Sequence, residues 1–374
     1  MPPQSASSAL VAAWVGSTNL GDELVYAALA AKLAARGVAV TAVSTDPAAT
    51  VATHGGAAVG QWDLRGLARA TGAATGVILG GGGLLQDQTS AFNLPLHLSR
   101  TWLARARRTP VAGVGLGAGG LVTRLGRALV RRSMGAAVAV SCRDDASADL
   151  LASLGLPRPL VAADLALSLP RPAVEVQDRL VACLRPWTAT RSRLPVALRS
   201  GGSGGGSGGG GSGGGLAPAW FLDAMATGLD EAAEQTGLAV HLVALQADRD
   251  DAVHRAVADR MRTPVTTATP TVATVVDEIA TARVVVAMRY HAGIAAALAG
   301  RPSVLVGYSA KVPALAADLG EGAVGLDWDA RALEGLAAAV GSILGQDAAM
   351  VEACEALRVR ERGNDQVLDR LLGG

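Results

Sequence analysis

The chain has few aromatic residues, with 6 Trp, 3 Tyr and 2 Phe among 374 residues. This scarcity excludes a protein that stacks bases or sugars on many aromatic side chains. The chain also lacks a surplus of charge, because 33 Lys and Arg residues balance 32 Asp and Glu residues. Dedicated nucleic-acid-binding proteins carry a basic surplus or a basic stripe, so we expect no nucleic acid among the partners.

Cysteine is scarce as well: Cys142, Cys183 and Cys354 lie far apart and form no Cys-x-x-Cys pair. This spacing favours buried thiols in a reducing compartment over a zinc site or a disulfide framework. No uninterrupted apolar run approaches the ~18–20 residues that span a membrane. No positive charge precedes the first apolar run, so we expect no secretory signal. The expectation is a cytoplasmic globular protein of two domains.

Strand and helix patterns alternate along both halves of the chain. Continuous apolar strands that alternate with helices are typical of parallel sheets covered by helices on both faces. The sequence therefore predicts an α/β protein with two Rossmann-like domains, residues 1–175 and 176–374, divided near Pro170 and Pro172. Predicted strands cover 9–15, 38–44, 76–79, 110–116, 136–142, 159–163, 180–184, 239–245, 283–288 and 303–308. Predicted helices cover 22–36, 122–134, 145–154, 218–236, 248–261, 271–280, 291–299 and most of 330–372.

Residues 201–215 contain only Gly and Ser. Such a segment buries no apolar surface and is typical of a flexible coil. It lies between the first predicted strand of the second half and the helix predicted from residue 218, not between the domains. Its regular repeat favours an engineered replacement over a natural low-complexity insertion, and we assign it no chemistry.

A polar segment with two glycines, residues 16–23, follows the first predicted strand and opens the next helix. Ligands of open parallel sheets bind beyond the carboxyl ends of the strands. A helix N-terminus there offers unpaired N–H groups to an anion, and Gly21 permits a close approach. Asn19, Asp22 and Glu23 are further candidates, although acidic residues in a first turn also simply complement the helix dipole. The segment is neither Gly-x-Gly-x-x-Gly nor a P-loop, which weakens a nicotinamide-binding or nucleotide-hydrolysing interpretation.

Two more strand ends carry candidate site residues. A run of four glycines can expose several backbone N–H groups to phosphate or carboxylate, or it can be a turn that packing requires. The polar residues after it suit sugar hydroxyls. Arg143, which follows the predicted strand 136–142, suits an anion, and pairing with the aspartates beside it is an equal alternative. These candidates are Gly81, Gly82, Gly83, Gln86, Asp87 and Arg143.

The strongest chemical signal follows the predicted strand 283–288. Arg289 offers a planar fork for carboxylate or phosphate, and His291 is a side chain that titrates near neutral pH. An isolated His usually has a structural role, but a neighbouring Arg at a strand end favours proton transfer on a small anionic substrate. After the next predicted strand, Tyr308 and Lys311 add a phenol and a positive charge, although a Lys at a helix start is also commonly just solvated.

In their order along the chain, these segments resemble those of the polysaccharide pyruvyl transferase family. Residues 19–23 read Asn-Leu-Gly-Asp-Glu, and a glycine run followed by Leu-Leu-Gln-Asp covers 80–87. Each match is weak alone, but the ordered set between residues 10 and 320 is specific. The remaining matches are Arg143-Asp144 with Ser147, Ala163-Asp164, the Leu-Arg-Pro-Trp stretch at 184–187, the Arg-x-His-Ala stretch at 289–292 and the Tyr-x-x-Lys stretch at 308–311.

The resemblance implies a GT-B-like fold, in which two Rossmann-like domains face each other across a cleft. It implies transfer of the enolpyruvyl unit of phosphoenolpyruvate to a sugar, giving a pyruvate ketal and phosphate without a cofactor or a metal ion. Arg289 would hold the carboxylate or phosphate of the donor, and His291 would be the general acid/base. Lys311, Arg185 and Tyr308 would complete the donor site in the second domain, and the first domain would bind the acceptor.

Within the family, the chain looks closest to the branch that modifies N-acetylmannosamine in lipid-linked precursors of bacterial secondary cell-wall polymers, which anchor surface-layer proteins. A lipid-linked acceptor implies work at the inner face of the membrane. Basic stretches at 100–108 and 124–132 suit anionic headgroups, and solvated helix faces are the alternative explanation. The Gly/Ser segment 201–215 lies where the family has a donor-site loop.

The sequence allows two other functions. One is a GT-B glycosyltransferase with a nucleotide-sugar donor, which needs a carboxylate for the ribose. Glu278 and Glu321 are the nearby candidates, and neither lies in a convincing pattern. The other is a non-catalytic protein that binds a sugar phosphate.

Overall fold

The computed structural model describes residues 7–88, 92–186, 217–309 and 311–373. The strands of its first half are β1 (Ser8–Val15), β2 (Ala39–Ser44), β3 (Ala57–Gly60), β4 (Gly76–Gly82), β5 (Val111–Leu116), β6 (Ala139–Cys142) and β7 (Leu160–Val161). They form one parallel sheet in the order β3-β2-β1-β4-β5-β6-β7. The helices between them are α1 (Leu20–Ala34), α2 (Pro47–His54), α3 (Leu64–Ala73), α4 (Asn93–Ala106), α5 (Arg124–Met134) and α6 (Asp145–Ser153).

The second half repeats this plan. Its strands are β8 (Arg179–Cys183), β9 (Ala239–Val243), β10 (Val265–Ala268), β11 (Val284–Ala287), β12 (Ser303–Gly307) and β13 (Ala323–Asp327). They form a parallel sheet in the order β10-β9-β8-β11-β12-β13. The helices are α7 (Ala219–Thr236), α8 (Ala247–Ala258), α9 (Val275–Ala280), α10 (Tyr290–Ala299), α11 (Lys311–Leu319), α12 (Ala330–Leu333), α13 (Leu336–Ile343), α14 (Asp347–Glu361) and α15 (Gly363–Leu372).

The strand order places a switch point in each sheet. The order in which successive strands are added reverses between β1 and β4 in the first sheet and between β8 and β11 in the second. Crossover connections leave on opposite faces at such a point, which opens a crevice beyond the carboxyl ends of these strands. The central strands are buried on both faces, as β4 and β11 show, because helices cover the two sides of each sheet.

Most of the predicted strands and helices are confirmed, within three residues at their ends. Two helices begin at least two residues later than predicted. The predicted helix 122–134 starts at Arg124, because the Thr123 hydroxyl caps it by accepting from the Gly126 amide at 2.9 Å. The predicted helix 271–280 starts at Val275, because the Thr271 amide donates to the Thr274 hydroxyl at 3.0 Å in a preceding turn.

The C-terminal helix α15 packs on the first sheet, although the sequence placed it in the second domain. Leu371 lies so close to β4 that a Cβ on Gly76 would be 2.8 Å from its Cγ. The Ser141 hydroxyl, at the end of β6, donates to Asn364 Oδ1 at 2.7 Å. Lys32 on α1 lies 3.0 Å from the carboxylate of Asp365. The chain therefore crosses back after the second sheet, and a boundary near residue 175 stays a prediction.

The three cysteines are free and buried, as expected. Burial raises the pKa of the Cys142 thiol to about 12. In the described ranges, no helix is both long and apolar enough to cross a membrane. The Gly/Ser segment 201–215 lies outside the described residues.

Candidate active site

The carboxyl ends of the two sheets are in direct contact. The segment after β1 meets the segment after β9: the Leu20 amide donates to the Leu245 carbonyl at 2.8 Å. The Thr18 hydroxyl donates to Asp248 Oδ1 at 2.6 Å, and the Gln246 side-chain amide lies 3.3 Å from the same hydroxyl. The N-terminus of α1 is therefore held at the boundary between the two halves, which we call the interdomain site.

At this boundary the N-terminus of α1 meets the N-terminus of α10. Gly21 lies directly against His291, and a Cβ at position 21 would be 2.2 Å from the His291 Nδ1 atom. Only glycine allows this approach. Asn19 caps α1 by accepting from the Gly21 amide at 3.3 Å. Because each helix N-terminus carries a partial positive charge, two such ends that converge make a strong anion-binding position.

His291 belongs to a buried cluster of charged groups. Its Nε2 atom lies 3.6 Å from Asp164 Oδ2, and Arg143 Nη1 lies 3.6 Å from the same oxygen. Asp164 follows β7, and its other oxygen accepts from the Ala166 amide at 3.0 Å. Although burial opposes it, the charges of His291 and Arg143 lower the pKa of Asp164 from its ordinary value. Asp164 is therefore an ionised partner of His291.

The same cluster contains unpaired atoms. Within the described part of the chain, the buried atoms without a hydrogen-bond partner include three of this cluster, His291 Nε2, Asp164 Oδ2 and Arg143 Nε, and also Arg289 Nε, two residues before His291. A buried polar atom without a partner costs about 1–3 kcal/mol. Native proteins keep few of them, so a concentration in one place favours a position built to contact a ligand.

Arg289 caps α10 from the end of β11 and is 7% exposed. Its guanidinium forms a buried ion pair with Asp250 on α8. Both terminal nitrogens lie 3.3 Å from Gln246 Oε1, the side chain that also contacts Thr18 across the boundary. The fork of Arg289 is thereby oriented by α8, and its Nε remains unpaired.

Three side chains surround a phenol on the second-sheet side. Arg185 Nη1 donates to the Tyr308 hydroxyl at 2.7 Å, and its Cζ lies 4.5 Å from the centre of that ring. The Lys311 ammonium lies 5.9 Å from the same ring. Burial alone would raise the pKa of Tyr308, but the charges of Lys311, Arg185 and Arg289 lower it to about 7.

Tyr290 joins this group to the His291 cluster. The Arg143 guanidinium lies 4.5 Å from the centre of the Tyr290 ring, and the Lys311 ammonium lies 5.8 Å from it. Both contacts are within the range of a cation–π interaction. Arg143 therefore pairs with Asp144, at 3.5 Å, and also lies at the interdomain site, while its binding of an anion stays a prediction.

Asp22 and Glu23 have different surroundings. Asp22 accepts from the Asn19 side-chain amide. Burial raises the pKa of Asp22 above its ordinary value, although His291 and Lys311 act in the opposite direction. Glu23 points away from the interdomain site, because it accepts from the Ser17 amide at 3.0 Å and lies 2.7 Å from His54 Nε2. Of these two carboxylates, only Asp22 is near the charges of the site.

The glycine run approaches the site through its backbone. Gly81 and Gly82 have positive φ angles of 73° and 83°. A Cβ on Gly81 would lie 2.0 Å from Val25 Cγ1, so packing against α1 requires glycine there. A Cβ on Gly82 would be 3.5 Å from Asp22 Oδ1, and one on Gly83 would be 4.0 Å from Arg143 Nη2. The run thus follows the edge of the His291 cluster.

The two polar candidates after the glycine run have other contacts. Asp87 is buried and fixes the turn before α5, because it accepts from the Val122 amide at 2.8 Å and from the Thr123 hydroxyl. Gln86 packs beside Gly120, where an added Cβ would lie 2.8 Å from its own Cβ. Asp87 thus has a structural position.

Sequence reasoning missed Asp250, Gln246 and Tyr290 and gave Asp164 no role. Asp164 was visible only in the Ala-Asp segment of the family resemblance. Asp250 and Gln246 lie on and before α8, behind a strand without a glycine-rich turn. No local signal distinguished them, because their importance comes from the side chains they meet across the fold. In the described ranges, no group of three or more His, Cys, Asp and Glu is placed to hold a metal ion.

Comparison with solved structures shows the GT-B fold. The chain is 13% identical to Anabaena HepE in complex with UDP-glucose, covering 98% of this chain and 100% of that one, with a TM-score of 0.59. It is 10% identical to UDP-GlcNAc 2-epimerase from Neisseria meningitidis, covering 98% and 100%, with a TM-score of 0.58. It is 14% identical to the spinosyn rhamnosyltransferase SpnG, covering 98% and 100%, with a TM-score of 0.54.

The family is decided by sequence rather than by these structures. No curated protein matches the chain significantly. The family model for polysaccharide pyruvyl transferase matches residues 19–310, which include the first-turn segment of α1, the glycine run, Arg289, His291 and Tyr308. The chain is therefore a pyruvyltransferase that belongs to the polysaccharide pyruvyl transferase family.

Proposed function

We propose that the protein transfers the enolpyruvyl unit of phosphoenolpyruvate to a sugar and forms a pyruvate ketal at the interdomain site. The single observation that carries this proposal is the convergence of two helix N-termini, Arg289 and His291 at one position. Family membership supplies the reaction class. The geometry supports the choice of a small, doubly anionic donor.

Phosphoenolpyruvate carries a carboxylate and a phosphate, so it needs more than one cationic partner. Arg289 offers a guanidinium already oriented by Asp250 and Gln246. Arg185 and Lys311 lie around Tyr308 on the same side. A planar guanidinium can bind carboxylate or phosphate with two parallel hydrogen bonds, which an ammonium cannot do. We assign donor binding to these three cations and the N-terminus of α10.

The proposed reaction requires one acid and two sugar hydroxyls. A proton from His291 adds to the methylene carbon, and the electron pair of the double bond forms the new C–H bond. One hydroxyl then adds to the electron-deficient carbon, and a second hydroxyl of the same sugar displaces phosphate. Of the two hydroxyl protons, one restores His291 and the other goes to the departing phosphate. Asp164 would balance the charge of protonated His291, since its carboxylate lies 3.6 Å away.

The first-sheet side would hold the acceptor. Asp22 lies beside the N-terminus of α1, and its raised pKa suits a carboxyl that exchanges a proton with a hydroxyl. Asn19 and the backbone at Gly82 are close to it and can orient the sugar. We propose N-acetylmannosamine of a lipid-linked cell-wall precursor as the acceptor, in the branch linked to surface-layer anchoring.

Substrate entry requires the two halves to separate. Arg289 and His291 are only 7% and 8% exposed, and contacts such as Thr18 with Asp248 bridge the boundary. We propose that this is the closed arrangement, which excludes water from the reacting groups. When the donor binds, Arg289 would exchange part of its contact with Asp250 for a contact with the donor.

A nucleotide-sugar glycosyltransferase shares the fold but gains no specific support. Glu278 binds Arg179 and His241 at the amino end of β8, on the edge opposite the site. Glu321 is exposed in the turn before β13. Neither carboxylate is placed to hold a ribose at the interdomain site.

The test is to incubate the protein with phosphoenolpyruvate and an N-acetylmannosamine-containing acceptor and to follow the product by mass spectrometry. We expect a product with one pyruvate ketal and release of one phosphate. The variants are His291→Asn, which removes the acid, and Arg289→Lys, which keeps the charge that Asp250 needs but removes the fork. His291→Asn should lose turnover while retaining donor binding, and Arg289→Lys should weaken donor binding at least about tenfold.

Arg179→Lys is the matched control, because Arg179 also pairs with a carboxylate in the second half but lies at the opposite sheet edge. It should keep activity. If phosphoenolpyruvate neither binds nor reacts while a nucleotide sugar binds, the proposal is wrong and the glycosyltransferase function replaces it. Donor binding without turnover on this acceptor would overturn only the choice of sugar.

A further inference from the structure

One stretch of the first half contains arginines but no acidic residue. Residues 88–143 contain nine Arg and no Asp or Glu, in a chain whose net charge is only +1. Two of the nine are not part of the surface. Arg100 is buried and donates to the Gln61 and Leu96 carbonyls, and Arg143 lies at the interdomain site.

The other seven arginines are exposed on two neighbouring helices. Three lie at the end of α4 and just after it, and four lie on α5. Across the ranges that the structure describes, none of them has an ion pair with Asp or Glu. They are Arg105, Arg107, Arg108, Arg124, Arg127, Arg131 and Arg132.

Helices α4 and α5 form one continuous surface. The Trp102 indole on α4 donates to the Ser133 hydroxyl on α5 at 2.8 Å. A cavity of about 240 Å³ lies between the helices, lined by Trp102, Arg105, Arg108 and Arg132 among others. A cavity bordered by three guanidinium groups and an indole suits a phosphate group with an attached glycerol.

Exposed apolar side chains line one end of this surface. Helices α3, α4 and α5 follow β3, β4 and β5 in parallel strand order, so all three begin at the carboxyl edge of the sheet. Each start carries large exposed apolar side chains, up to 75% exposed. They are Trp62, Leu64, Phe92, Val122 and Leu125, which we call the apolar rim.

We infer that the apolar rim and the seven arginines form a docking surface for a membrane of anionic phospholipid. Arginines attract the headgroup phosphates, and apolar side chains at the edge enter the acyl boundary. A second copy of this chain fits poorly, because the arginines of α4 and α5, two helices without an acidic residue, would face those of the other copy and repel them. A nucleic acid would use the arginines but would leave the apolar rim in water.

Docking in this orientation has a consequence for the interdomain site. The membrane would lie along α4 and α5, because most of the seven arginines are near the carboxyl-terminal ends of these helices. The apolar rim, at the other end of this surface, shares its sheet edge with Gly21 and the glycine run, so that end would lie beside the entrance on the first-sheet side. A substrate attached to lipid could then reach the site without leaving the bilayer. The docking itself does not depend on the proposed reaction, since it is measured without substrates.

The experiment is co-sedimentation of the full chain with vesicles. One set contains phosphatidylglycerol and phosphatidylcholine in equal parts, and the other contains phosphatidylcholine alone. We expect binding to the anionic vesicles that weakens with added salt, and little binding to the neutral ones. Arg124→Glu, Arg127→Glu and Arg131→Glu together should weaken binding at least about a hundredfold.

The matched control carries Arg255→Glu, Arg331→Glu and Arg370→Glu. These arginines are exposed, lack an ion pair in the described part of the chain and lie outside α3, α4 and α5, and the change in net charge is the same. This variant should bind anionic vesicles as wild type does. Equal losses in the two variants would reduce the effect to net charge and overturn the docking surface.

A second variant tests the apolar rim. Leu64→Ser with Leu125→Ser should weaken vesicle binding about tenfold at high salt, and both sites are exposed enough to keep the fold stable. Equal binding to neutral and anionic vesicles would overturn the proposal. So would tighter binding to nucleic acid than to vesicles, or a concentration-dependent dimer that the three Arg→Glu changes abolish.

Discussion

Replacing Asp164 by Asn tests whether this residue positions and charges His291. The change removes one negative charge and almost no volume. An Asn side chain can still accept from the Ala166 amide, the bond that Asp164 makes at 3.0 Å. The substitution therefore leaves the local backbone contact in place and removes the counter-charge of His291 and Arg143.

The distance between the charges gives the magnitude. His291 Nε2 and Asp164 Oδ2 are 3.6 Å apart. At an effective dielectric constant of about 20, one such pair contributes about 4–5 kcal/mol. If relaxation and solvent cancel half of this, about 2 kcal/mol remain, which is roughly a 30-fold change in rate. Because Asp164 would balance the charge of the proposed acid, the kcat of ketal formation should fall about 10- to 100-fold in Asp164→Asn, while donor binding is retained.

The assay is the kcat of ketal formation at saturating donor and acceptor, with donor binding measured separately by calorimetry. Asp144→Asn is the matched control. Asp144 also caps a helix, by accepting from the Ser147 amide at 2.7 Å, and also contacts Arg143, at 3.5 Å. It has no contact with His291. Asp144→Asn should keep the wild-type kcat.

A purely structural role of Asp164 would lower thermal stability and donor binding together with kcat. An Asp164→Asn enzyme with the wild-type kcat would refute the argument that this carboxylate supports His291. An equal loss of kcat in Asp144→Asn would also refute it, because the effect would then come from Arg143.

The remaining predictions concern the donor site and the glycine run. Above about pH 7 the Tyr308 phenol, whose pKa is lowered to about 7, carries a negative charge beside Arg185. Affinity for phosphoenolpyruvate should therefore fall about tenfold from about pH 6 to about pH 8, and Tyr308→Phe should remove most of that fall in calorimetric titrations. Gly81→Ala should lower the free energy of unfolding in urea by more than about 2 kcal/mol. The new Cβ would lie 2.0 Å from Val25 Cγ1, and the alanine would also be strained at a positive φ. Gly37→Ala, at a φ of 69° with open space around the added Cβ, is its control and should cost only about 1–2 kcal/mol; equal losses would show that the Val25 contact does not matter.

Local patterns were enough to predict the sheets and most of the strand ends. Parallel strands alternate with helices, and every candidate motif came directly after a strand. Because carboxyl ends share one edge of a parallel sheet, the motifs at the ends of β1 and β4 were expected on one side. The same reasoning applies to Arg289 and Tyr308 in the second sheet. The edge strands β3, β10 and β13 were missed, because their short and partly exposed runs give weak periodicity.

The alternation of apolar strands and helices along the sequence thus determined the two parallel sheets and the positions of Gly21, Arg289 and His291 at strand ends, since these depend on residues close in the chain. Only the tertiary structure decided which polar residues act together. Asp164 meets His291 although 127 positions separate them, while Glu23, next to Asp22, turns away to His54. Helix α15 likewise packs on the first sheet through residues distant in the sequence, as Asn364 does with Ser141. Contacts of this kind depend on how whole sheets pack against each other, and local periodicity carries no information about that packing.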